Sequence, residues 1–135
     1  MADFKKAFVK TMQNEGGYIN NSKDPGKETY RGITIVSNPK WMGWEIVHKT
    51  ILDLGIQDTL DCSKDVRSKI DVKLSTIPKL DELVQSIYKE KYWDTLSLDN
   101  EPDQLIAEQV FDTAVNFGVE TARKFINEAR SDENT

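Results

Sequence analysis

Apolar residues return at helical spacing along most of this chain, and that rhythm restricts what it can fold into. Phe4, Ala7, Phe8, Thr11 and Met12 follow the i, i+3, i+4, i+7, i+8 pattern of an amphipathic helix, and Asp3 is placed to cap its start. Gly16-Gly17 is expected to stop that helix, because glycine takes up the left-handed conformation that closes helices; Glu15 would then sit at a helix C-terminus. Trp44, Val47, Ile51 and Leu54 mark a second helix ended by Gly55, and a short helix is expected near 64–74. Pro78 opens a stronger one with the inner stripe Leu80, Leu83, Val84, Ile87 and Tyr88, running out near Trp93. Another begins at Pro102 and carries Leu105, Ile106, Val110, Ala114 and Phe117. With Ala107, Phe111 and Val115 it is apolar on nearly every side, as a central buried helix would be, and Gly118 breaks it. The last helix uses Ala122, Phe125, Ile126 and Ala129 before the chain frays over residues 131–135.

One stretch departs from this rhythm. Between Tyr18 and Arg31 the periodicity disappears and turn formers accumulate (Asn20, Asn21, Ser22, Asp24, Pro25, Gly26), which reads as a loop or a small irregular hairpin. Ile33, Ile35 and Val36 leave strand and helix start open. The expected fold class is all-α, mainly helical, with that small loop or hairpin after the first helix.

Composition narrows the function classes. The chain has 135 residues, 38% hydrophobic and 30% charged, which suits a globular domain with its own core. A net charge of −5 leaves no basic field for phosphates, so nucleic acid is disfavoured as a partner. The single Cys62 cannot form an internal disulfide and reads as incidental. The single His48, with no second histidine or cysteine pair, implies no metal site, and no cofactor motif is present. The Met-Ala-Asp-Phe-Lys-Lys start carries no signal-like apolar run, and no stretch approaches the roughly 20 apolar residues of a membrane span. A soluble protein, made in the cytoplasm without stable membrane insertion, is expected.

The chemistry is concentrated in the block from Glu15 to Thr34, where one carboxylate precedes a Gly pair and a second, Asp24, stands nine positions later in a turn-rich loop. Glycoside hydrolysis needs such a pair: one acid protonates the leaving oxygen, and one carboxylate stabilises the oxocarbenium-like state or activates water. A helix C-terminus and a neighbouring ring such as Tyr18 would favour the protonated form of Glu15. Taken singly, Glu15 could equally be a solvated surface residue, and Asp24 a turn former before Pro-Gly.

Glu15-Gly16-Gly17-Tyr18, Asp24-Pro25-Gly26, Thr29 and Gly32-Ile33-Thr34 resemble the opening of the glycoside hydrolase family 108 muramidases, which read Glu-Gly-Gly-Tyr, Asp-Pro-Gly-Gly, a Thr and Gly-Ile-Thr. Ile87-Tyr88 and Tyr92-Trp93-Asp94 resemble the family's Tyr-x-x-x-Tyr-Trp segment. Phe111-Asp112 through Gly118 resembles the start of the peptidoglycan-binding region that follows it, while 35–78 carries no recognised motif. The resemblance implies a lysozyme-like fold, with a hydrolase region over 1–100 and the start of a peptidoglycan-binding-like helical region over 101–135, packed as one compact unit. It implies Glu15 as general acid, Asp24 and Thr29 holding the attacking water by analogy with phage-type lysozymes, and Tyr18, Tyr30, Tyr92 and Trp93 along the sugar cleft. The substrate would be the β-1,4 bond between N-acetylmuramic acid and N-acetylglucosamine in peptidoglycan strands, at the bacterial wall once the protein is exported or released. Two departures stand out. Arg31 occupies the position where relatives carry Tyr, with Tyr30 one place earlier, and the chain stops at Thr135 without the family's later Asp-Gly and Gly-Pro-x-Thr motifs. These departures keep a rival reading in play, a non-catalytic lysozyme-like wall-binding or secretion-associated module. Tyr88 fits the apolar stripe and is expected in the core; Trp41 and Trp44 could be core or cleft wall.

Overall fold

A computed structural model describes the backbone of residues 1–133 and the side chains of residues 1–128. The described fold is mainly helical, with α1 (Phe4–Met12), α2 (Gly43–Asp53), α3 (Lys64–Leu74), α4 (Pro78–Tyr88), α5 (Gln104–Phe117) and α6 (Val119–Glu133). It is not all-α: β1 (Tyr18–Asn20), β2 (Glu28–Tyr30) and β3 (Ile33–Thr34) form a three-stranded antiparallel sheet in that order. The chain packs as two compact units, residues 15–84 and residues 1–14 together with those from 85 onward. Packing divides the chain at 14/15 and 84/85.

The first and last stretches build an aromatic core. Asp3 caps α1 as expected, its carboxylate accepting the N–H of Lys5 at 2.9 Å. Below it, Phe4 packs against Phe8, Trp93 and Phe111 with ring centroids 5.5–5.6 Å apart, mostly edge to face as ring quadrupoles favour. α4 passes without a break into a π-helical turn, Lys89–Asp94, which carries Trp93 into this core. α5 starts two residues later than expected because Asp103, not Pro102, caps it. It buries Ala107, Val110, Phe111 and Ala114 but leaves Leu105 and Phe117 exposed, so it is amphipathic and not buried all round. Asn116 is exposed, and its side-chain amide donates to the Asp112 carbonyl. α6 continues to Glu133, so residues 131–133 are helical; the Ala129 side chain and residues 134–135 lie outside the described residues.

Residues 15–84 hold the sheet, α2, α3 and the first part of α4. Their core is Tyr18, Tyr30 and Ile33 from the sheet, with Trp44, Val47, Ile51, Ile70, Leu74, Leu80 and Val84 from the helices. Trp44 is therefore a core residue, its indole N–H donating to the Asn38 carbonyl at 2.9 Å. Trp41 stands edge-on to it and donates to the Leu83 carbonyl. α3 fills the 64–74 interval expected from sequence, capped by Ser63, whose hydroxyl accepts the Val66 N–H. No helix of the described residues is long and apolar enough to cross a membrane.

Candidate active site

α1 ends at Met12, with Gln13 as its cap, and Glu15 follows in irregular chain. The Gly16-Gly17 pair does not close the helix, since neither residue has a positive φ. Glu15 therefore follows the helix end by three residues and is not its last residue. The pair serves a different purpose at Gly17: a Cβ there would run into the Asp71 carboxylate, which reaches across from α3 and accepts the Tyr18 N–H at 2.7 Å. A side chain at Gly16 would meet nothing.

Glu15 is half-buried and lines a cavity of about 430 Å³ together with Gly16, Gly17, Tyr30, Arg31, Asp71, Leu74, Ser75 and Asp81. Three carboxylates and one guanidinium therefore share it. Arg31 Nη1 lies 3.1 Å from Asp81 Oδ1, which partly offsets the acidic lining. Arg31 holds this place because it and Gly32 form the two-residue turn between β2 and β3, both with positive φ (47° and 83°), as a tight hairpin of this twist requires. Asp71 and Asp81 lie in stretches where nothing had marked a site. Solvated helix faces and carboxylate lids over glycine look alike in sequence.

The sheet register sorts the remaining candidates onto two faces. Tyr18 pairs with Tyr30, Ile19 with Thr29, and Asn20 with Glu28, so side-chain alternation puts Tyr18, Asn20, Glu28 and Tyr30 together on one face. There the Tyr18 hydroxyl donates to Glu28 Oε2 at 2.7 Å and meets Thr59 Oγ1 at 2.8 Å, while His48 Nε2 reaches the same carboxylate at 2.9 Å. Burial holds the Tyr18 and Tyr30 phenols above the ordinary tyrosine range. Tyr18, 2% exposed, is packed and hydrogen-bonded in the core and does not offer a face to a sugar. Tyr30 is 5% exposed yet reaches the cavity wall.

The opposite face carries Ile19, Thr29 and Thr34. Asp24 belongs to this side: its Oδ1 accepts the Gly26 N–H at 2.8 Å, and a Cβ on Gly26 would meet both that oxygen and the Thr34 side chain. Asp24 and Thr29 are thus both neighbours of Thr34, and the Thr29 hydroxyl is buried with no hydrogen-bond partner among the described residues. Neither lines the cavity that holds Glu15. Glu15 thus shares its cavity with Asp71 and Asp81, while Asp24 and Thr29 stand near Thr34.

Among the residues from 85 onward, Trp93 is fully buried and its indole N–H donates to Asp99 Oδ1 at 2.6 Å. A ring with no exposed face cannot stack on a sugar, so its place is the core, against Phe4 and Phe111. Tyr92 is half-buried beside Tyr88 and Phe111, and Tyr88 is buried as its stripe implied.

A half-buried glutamate, two further carboxylates and one guanidinium thus line one concave, polar site. The chain belongs to the glycosyl hydrolase 108 family, whose model matches residues 8–118. That match takes in Glu15, Asp24 and Thr29 and also runs through 35–78, where Asp71 lies. No curated protein and no solved structure matches the chain.

Proposed function

We propose that this protein is a lysozyme-like peptidoglycan hydrolase that cleaves the β-1,4 bond between N-acetylmuramic acid and N-acetylglucosamine, with Glu15 as the general acid. The observation that carries the reading is Glu15 itself: it opens the Glu-Gly-Gly-Tyr block inside the family-matched region and forms part of the wall of a large open cavity. Protonation of the glycosidic oxygen by a carboxylic acid is the step every such hydrolysis shares. Asp24 and Thr29 take the second task, ordering the water that attacks the anomeric carbon. Their common neighbour Thr34 and the uncommitted Thr29 hydroxyl support that pairing. Tyr30, on the wall of the Glu15 cavity, is the ring assigned to the sugar path, and the bacterial cell wall is the place of work.

The test is release of reducing ends from purified peptidoglycan by the intact chain and by Glu15→Gln. Loss of the acid should lower turnover by roughly 10²–10⁴-fold. Equal rates would remove Glu15 from the mechanism. One observation favours a second reading, a wall-binding module without catalysis: Asp24 and Thr29 do not line the cavity of Glu15. Retention on glycan strands with no new reducing ends from either protein selects it.

A further inference from the structure

A second cavity, of about 300 Å³, adjoins the one that holds Glu15 and shares Gly16, Gly17 and Asp71 with it as common wall. Its lining is different in kind. Lys64, Arg67 and Ser68 from α3 face Tyr18 and Ile19 of β1 across it, so two cations and a hydroxyl stand where the first cavity has carboxylates. Lys64 and Arg67 are three residues apart, on one side of their helix. Neither forms an ion pair among the described residues, and Arg67 Nε is buried without a hydrogen-bond partner. A buried guanidinium nitrogen left unsatisfied is costly, and the usual remedy is an acceptor supplied from outside. Asp71, one helical turn on, does not supply it: no ion pair joins Asp71 to Arg67 among the described residues.

The geometry points to a subsite for a carboxylate of the peptide stem carried by muramic acid, held by Arg67 and Lys64, with Ser68 as an additional donor. The assignment rests on the peptidoglycan reading above and says which part of that polymer this wall of the site recognises. Charge sets the ligand class. With Asp71 counted, the lining carries one net positive charge, which matches a singly charged group better than a phosphate dianion. Guanidinium binds a carboxylate with two parallel hydrogen bonds. Size sets the extent: 300 Å³ is the lower end of the usual ligand range of about 300–1,000 Å³, room for a short peptide segment and not for a disaccharide. Ile19 offers an apolar wall for a small side chain such as alanine's methyl.

The test is calorimetric titration of the intact chain with N-acetylmuramoyl-L-alanyl-D-glutamate and with its diamide. The acid should bind at least about tenfold more tightly, and Lys64→Gln and Arg67→Gln should each erase that preference. Lys64 is exposed, so its replacement leaves folding intact, and Arg67→Lys, which keeps the charge but not the fork, should retain part of the preference. Equal binding of acid and diamide, or an unaltered preference in Lys64→Gln, overturns the assignment. So does binding of a glycerol phosphodiester oligomer in place of the acid. In hydrolysis, Lys64→Gln should lower kcat/KM about tenfold on peptide-bearing strands and leave peptide-stripped strands unaffected. If Glu15→Gln hydrolyses normally while the acid preference persists, the proposed acid fails and the subsite stands.

Discussion

Replacing Gly17 with alanine tests the contact that joins α3 to β1. The added Cβ would meet the Asp71 carboxylate, a flexible group that can rotate away. Steric strain is therefore not the main cost. Rotation gives up the 2.7 Å bond from the Tyr18 N–H, a hydrogen bond to a charged acceptor worth about 1.5–3 kcal/mol. Unfolding entropy of about 2.1 cal/mol/K per residue, over 135 residues, makes 1 kcal/mol equal to roughly 3.5 °C in Tm. Gly17→Ala should accordingly melt about 5–10 °C lower. Gly16→Ala is the internal control, because its Cβ enters open space at ordinary φ; it should be neutral or gain about 0.4–1 kcal/mol from a stiffer unfolded chain. Asp71→Ala closes the cycle, since it removes the same bond. Once Asp71 is gone, Gly17→Ala should add little, and the coupling between the two should approach the whole cost of either. Thermal melts of the five proteins (wild type, the three single variants and the Gly17→Ala/Asp71→Ala double), followed by circular dichroism, supply the numbers. Equal effects at Gly16 and Gly17, or strictly additive effects of Gly17→Ala and Asp71→Ala, would refute the reasoning.

Lys27 has φ of +60° at the position where the family pattern Asp-Pro-Gly-Gly has its second glycine, so Lys27→Gly should stabilise by about 0.5–1 kcal/mol; a lower Tm in thermal melts counts against strain there. Trp93→Ala should cost about 3–5 kcal/mol as a core cavity, while Trp93→Phe should cost less and leave turnover of the folded protein unchanged; a stable Trp93→Phe without activity would return Trp93 to the sugar path. Tyr18 and Tyr30 have phenols raised by burial, so their contribution is complete below the unfolded tyrosine value of about 10 and is lost as pH rises from there through their folded values. Stability should fall steadily above pH about 10, and Tyr18 and Tyr30 should ionise only with unfolding in an absorbance titration.

The helical stripes were legible because each buries one face. α2 and α4 lie where the spacing of Trp44 and Leu80 puts them. Misreadings came where burial depends on distant partners. α5 reads as apolar all round, yet only the side with Ala107, Val110 and Phe111 finds a core; Trp93 reads as a cleft aromatic, and a π-helical turn aims it inward. The small sheet was legible only as a turn-rich gap, because strands of two or three residues are too short to show alternation. Of the site, Glu15 was marked by its place before the Gly pair and lines an open cavity, whereas α1 ends before it reaches Glu15. Asp71 was invisible in sequence, since its only trace is the absence of a side chain at Gly17, fifty-four positions earlier.

The unit that contains Phe4 is assembled from both ends of the chain, with residues 15–84 lying between its parts. Phe4 closes a loop of more than a hundred residues onto Phe111, and the entropy of that closure grows only as the logarithm of its length. The closure is a question of timing more than of stability. During synthesis residues 15–84 can pack as soon as they emerge, whereas α1, made first, has no aromatic core to join until α5 has followed it. Until then its apolar stripe is open to any other hydrophobic surface in the cell.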